Sequence, residues 1–145
     1  MARINRRDLG GGCGVTTGEV QVSGVIAALG AGGHPIFVAD RPYRLISAQL
    51  VPHTGNTGVL SFKKAASIPT VVPFSSGTAL TSPSTFSLTT ANTRTILTLS
   101  IVEAVLRLVD GDRLALGLLS GTSPVDIGGT IRLMPIKSEL LTLLE

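Results

Sequence analysis

The sequence predicts a single all-β domain, an antiparallel sandwich or barrel, on three observations. Apolar and polar residues alternate with a period of two in short runs. Clusters of Gly, Pro, Asn and Asp separate those runs. The composition agrees, with 17 glycines and 8 prolines in 145 residues, 43% hydrophobic and only 14% charged. That length is one domain's worth, and folding at that size buries roughly 70% of the unfolded surface, so a core forms without disulfide staples. High apolar content with little charge also suits a subunit that hides surface in an assembly.

The elements follow in order. Residues 1–17 are basic, then Gly-rich, then Val15-Thr16-Thr17, with no sustained period, and read as an extended arm unable to make a core alone. Residues 18–29 alternate, with Val20, Val22, Ile26 and Ala28 on one face and Glu19, Gln21 and Ser23 on the other, as a half-buried strand does. The Gly-rich residues 30–33 break it. A short strand at 35–39 ends at Asp40-Arg41-Pro42, and a third at 43–51 carries Leu45, Ile46, Ala48 and Leu50 before a turn through Pro52, His53 and Gly55. A strand at 59–64 precedes a Ser/Thr/Pro-rich stretch, about 65–84, that reads as long loops. In all, roughly seven or eight short strands are expected.

Residues 100–110 carry two signals. Ser100, Glu103, Arg107 and Asp110 fall at helical spacings that put Glu103 and Arg107 one turn apart, which allows a turn or two of helix. The flanks favour strand: Thr95 to Leu99 is β-branched and alternating, and Asp110-Gly111 is a two-residue hairpin signal whose central residues both take positive φ. The expectation is strand, a kink near Glu103, then a hairpin. Both alternating faces of residues 101–108 are largely apolar, which implies burial on two sides.

Charge and motifs exclude several classes. Net charge is +3, from 12 basic and 9 acidic residues, too small an excess to define a nucleic-acid surface, and Arg3, Arg6 and Arg7 concentrate it in the arm. Four Phe and one Tyr, mostly within apolar runs, do not supply stacking platforms for single strands. No apolar run reaches membrane-spanning length. Asn5-Arg6-Arg7-Asp8-Leu9 resembles a twin-arginine export signal, but Glu19 and Gln21 interrupt the apolar region that should follow, so export is not expected. Cys13 is the only cysteine and lies among glycines, where a backbone role outweighs a catalytic thiol. No nucleophile elbow, zinc-protease motif or phosphate loop is present. His34 and His53 are expected in loops without further ligands at metal spacing, and Asp110 and Asp112 fit a turn better than a carboxylate pair or a calcium loop, since the next acidic residue, Asp126, lies beyond another turn. No catalytic residue, cofactor, metal or small-molecule substrate is therefore expected.

Five pieces in order, PIFVADRPYRL (35–45), HTG (53–55), FSLTTANT (86–93), LRLVDGDRLAL (106–116) and SGT (120–122), resemble a series in small virion proteins of tailed bacteriophages, the head decoration or cement proteins. The resemblance spans roughly residues 18–137. It departs at Ser61-Phe62-Lys63-Lys64, where the family often has a longer charged strand. It implies a jelly-roll-like β-sandwich that binds the outer surface of a capsid, with the major capsid protein as partner, as a homotrimer, and a face of Leu114, Leu116 and Leu118 in the core or trimer interface.

The organisation expected is an arm at 1–17, a sandwich at 18–137 and a tail at 138–145. Arg3, Arg6 and Arg7 are the expected capsid grip, with the arm ordered only against its partner, and Leu140, Leu141, Leu143 and Leu144 are expected to dock on a neighbouring subunit. The other classes compatible with the sequence are a head fibre or tail-associated trimeric protein and a small carbohydrate-binding module, for which Tyr43 is the one candidate exposed aromatic.

Overall fold

Alternation along the chain becomes two facing antiparallel sheets in the structure, a computed structural model that describes residues 2–4 and 19–136. The elements are β1 (Ala2–Ile4), β2 (Val20–Ile26), β3 (His34–Val38), β4 (Tyr43–Thr54), β5 (Val59–Ala65), a 3-10 turn (Phe74–Ser76), β6 (Thr78–Ala79), β7 (Thr95–Ile96), α1 (Glu103–Leu106), β8 (Arg107–Leu108), β9 (Arg113–Ser120) and β10 (Val125–Pro135). One sheet runs β1-β2-β10-β4-β7, with β8 also on β4; the other runs β3-β9-β5-β6. From β2 to β5 the chain changes sheet at every connection, and it does so again at β6 to β7 and from β8 through β9 to β10. The result is an antiparallel β-sandwich of jelly-roll-like connectivity.

The core lies between the sheets. Ile131, Ala48 and Leu50 from one sheet and Phe62, Leu116 and Ile36 from the other line a shared void of about 10 Å3, too small to matter beside close packing. Leu114 and Leu116 belong to this core, and Leu118 packs at its margin.

One irregularity explains the pattern of β4. Leu133 faces Leu45 while Arg132 faces Ser47, so Ile46 is an extra residue, a bulge. Inward positions therefore shift from Tyr43 and Leu45 to Ala48, Leu50 and Pro52, and alternation slips by one at Ile46. β4 also runs past its expected end. Pro52 is accepted in a central strand because Asn92 N donates to Pro52 O at 2.7 Å. A residue's N–H and C=O point the same way in a strand, so the donor Pro52 lacks faces that loop and not β10. Close approach on the other side needs Gly129, where a Cβ would sit 2.3 Å from Gln49 O.

Several expectations change. Residues 101–108 are not buried on two sides: Ile101 is 96% exposed, and Glu103–Leu106 forms one helical turn. So short a helix is not stable alone. Lys64 Nζ donates to Ala104 O at 3.1 Å and Arg107 O at 2.6 Å, satisfying its C-terminal carbonyls, while Glu103 binds Arg44 and lies 3.9 Å from Arg107. The helical spacing was thus the better signal.

Asp110-Gly111 makes no hairpin, because β8 pairs with β4 whereas β9 pairs with β3 and β5. Asp112 N donates to Val109 O at 3.0 Å, and of the central pair only Gly111 has positive φ (90°). This is a type II turn, which splays its flanking strands and carries the chain from one sheet to the other. Ala2–Ile4, expected to order only on a partner, is a strand paired along Val20–Val22 of β2.

Candidate interaction surface at one end of the sandwich

Strand direction gathers five segments at one end. Leu133 lies opposite Val20, Pro135 opposite Tyr43, and Leu108 is Tyr43's other neighbour. Val38 and Ala65 both lie opposite Arg113. The connections 5–18, 39–42, 66–73 and 109–112, and the segment 137–145, all leave from this end.

Its loops are fastened to one another. Gly111 N donates to Ala39 O and Ala39 N to Asp112 O, each at 2.8 Å, and the buried Asp112 carboxylate accepts from Val109 N at 3.0 Å. Asp112 thus forms a turn, as expected. Arg113 Nη2 donates to Ala66 O at 3.1 Å and to Val72 O, and its guanidinium lies 4.7 Å over the Phe74 ring. One side chain of β9 therefore holds the Pro-rich loop by both ends. Ile68 packs over Gly111, where an added Cβ would come within 2.9 Å of Ile68 Cδ1.

Tyr43 closes the end from below. It is 3% exposed, meets Phe37 edge-on at 5.4 Å and donates from its hydroxyl to Asp40 Oδ1 at 2.6 Å. Burial, with the Asp40 carboxylate beside it, pushes Tyr43 up to about 12, while the Tyr43 hydroxyl holds Asp40 below the usual carboxylate range. The one aromatic offered for sugar stacking is buried, which removes the sequence argument for a carbohydrate-binding module.

On these fastened loops, and at the end of β3, stand large apolar side chains that nothing in the described structure covers. Val38 and Ile68 are each 60% exposed, Val71 66% and Val109 50%. Scattered exposed aliphatics are ordinary, but four around one end form a patch. Sequence reading missed it, since the hint was aliphatics (Ile68, Val71, Val72) inside a Ser/Thr/Pro-rich loop, and only the Arg113 and Gly111 contacts bring them beside Val38 and Val109.

Two arginine–glutamate pairs are bidentate. Arg132 binds Glu19 through Nε (2.8 Å) and Nη2 (2.6 Å), and Arg44 binds Glu103 at 2.6 and 2.9 Å. Each arginine lowers its glutamate's pKa and has its own raised in return. Burial lowers that of Lys64.

The expected site residues are only partly placed. Arg3 lies in β1 opposite Gln21; Arg6, Arg7, Cys13, Leu140, Leu141, Leu143 and Leu144 lie outside the described residues. His34 and His53 are in β3 and near the end of β4, not in loops, and both are exposed. Asp126 is an exposed residue at positive φ (50°). Among the described residues no group of three His, Cys, Asp or Glu converges to hold a metal, and no helix is long and apolar enough to cross a membrane. A groove of about 160 Å3 opens between β2 and β3, lined by Val25, Ile26, His34, Ile36 and Ile127. That is below the range of sites that enclose small-molecule ligands. Comparison with protein-family models, curated proteins and solved structures returned no match to this chain.

Proposed function

We propose that this chain is a structural virion protein that binds the outer surface of a bacteriophage capsid as a homotrimer and ties neighbouring capsid subunits together. The observation that carries the reading is that the end of β1, the start of β2 and the end of β10 meet at one end of the sandwich, the same end that exposes Val38, Ile68, Val71 and Val109. An assembly subunit needs such a contact end beside a fastened body. The family resemblance in the sequence supplies the capsid as partner.

The arm fits the task. Ile4 pairs with Val20, so residues 5–18 leave and return at nearly the same place. That connection is several times longer than the two to five residues a β-hairpin needs. Arg6 and Arg7 lie within it, just past Arg3, and present guanidinium groups suited to bidentate contact with carboxylates of a capsid shell. Three such segments per trimer act together, since after one binds the others meet their sites at an effective concentration of roughly millimolar.

The test is binding to empty capsids with electron microscopy of the particles. Density on the head lattice is expected, with occupancy that falls when Arg3, Arg6 and Arg7 become Ala and a salt dependence that flattens in the same variant. Density confined to the tail or to a fibre would move the protein to another part of the virion, and absence from particles would overturn the proposal.

A further inference from the structure

The apolar end has a matching occupant in the chain's own sequence. We propose that residues 138–145 of one copy seat on the end formed by Val38, Ile68, Val71 and Val109 of the next copy, head to tail, so that three copies close a ring. This rests on the chain being a subunit of an assembly, but not on which assembly.

Complementary chemistry is the first argument. Leu140, Leu141, Leu143 and Leu144 are spaced i, i+1, i+3 and i+4, which on a helix makes one apolar stripe about 160° wide, with Glu139, Thr142 and Glu145 on the other side. A helix of eight residues is marginal by itself and needs a host surface. The end offers four exposed aliphatics on loops already fastened by Arg113, Asp112 and Gly111, so the host bears little ordering cost.

Position is the second. Pro135 and Leu108 flank Tyr43 on its two sides, so the chain leaves β10 two strand spacings, roughly 10 Å, from the patch at Val109. The last described bond, Ile136 N to Pro42 O at 3.0 Å, carries the chain on past the 39–42 loop. To cover its own patch the tail would have to turn back within Lys137, Ser138 and Glu139, of which Ser138 alone favours turns, and more weakly than Gly, Pro, Asn or Asp. Running straight on, it meets a neighbour. Contacts between different patches of identical copies are heterologous, and they close into a ring when the rotation permits.

The test is solution mass by light scattering at micromolar concentration on the full chain, on a chain ending at Lys137, and on the double variant Val71→Asp and Val109→Asp. The two substituted residues are exposed, so circular dichroism should show an unchanged fold. The full chain is expected at three times the monomer mass and each variant at one. Mixing the two variants is decisive, because one lacks the tail and the other the receiving end: they should pair as a heterodimer. A synthetic peptide of residues 138–145 should bind the truncated chain one to one, which covers the case in which the aspartate variant does not fold. A full chain that is monomeric, a trimer that survives truncation, or a peptide that does not bind overturns the inference. A trimer that ignores capsids would refute the virion reading and leave this interface standing; a monomer that decorates capsids would refute this interface and the homotrimer, and leave capsid binding standing.

Discussion

Replacing Arg113 with Met tests whether one side chain holds the loop that carries half of the apolar patch. Methionine keeps the apolar stem but removes the donations to Ala66 O and Val72 O and the cation over Phe74. A charged hydrogen bond contributes about 1.5 kcal/mol at the low end of its range, so two come to roughly 3 kcal/mol. The ring contact adds about 0.5 kcal/mol. Arg113 Nε is buried without a hydrogen-bond partner among the described residues, and removing it returns about 1 kcal/mol. The expected net loss is therefore about 2.5 kcal/mol, a fall in Tm of roughly 10 °C for a domain this size. Urea unfolding followed by circular dichroism gives the free energy, and limited proteolysis shows where the chain opens. New cleavage within residues 66–73 is expected well before global unfolding. A loss below about 1 kcal/mol, or unchanged proteolysis of that loop, would refute the role assigned to Arg113.

Three further outcomes are expected. The chain has one tyrosine, so alkaline absorbance titration reads Tyr43 alone. Its folded pKa is raised from 10 to about 12, so this contribution to stability is fully present below pH 10 and lost as pH rises toward 12; a midpoint near 10 while circular dichroism still shows the fold would contradict its burial. Glu19 and Glu103 have lowered folded pKa values, so their stabilisation is present above the ordinary 4.5 and lost as pH falls below it. Glu19→Gln with Glu103→Gln should flatten the acid limb of stability against pH, by less in 1 M salt, and parallel curves for variant and parent would count against these pairs. Gly129→Ala should force β10 and β4 apart and yield insoluble protein or a loss of several kcal/mol, whereas Gly24→Ala, with nothing within 4 Å of its new Cβ, should be near neutral; equal stability of the two would show that the close approach at Gln49 is not required.

The sequence by itself determined the fold class and most strands, because burial of one sheet face writes a period of two directly into the residues. Val20 and Val22 point inward as their spacing requires, and Leu114 and Leu116 reach the core. Period alone does not record which strands become neighbours. Asp110-Gly111 has hairpin chemistry, yet Leu108 goes to Tyr43 and Arg113 to Val38, and only that pairing decides that the turn joins two sheets. Tyr43 next to Arg44 reads as a surface residue until Asp40 takes its hydroxyl and Phe37 its ring. The candidate surface was hidden for the same reason. Val38, Ile68, Val71 and Val109 are scattered along the chain, and contacts between distant residues, Arg113 with Ala66 and Ile68 with Gly111, bring them to one end. Local spacing fixes which way a side chain faces; long-range pairing fixes what it faces.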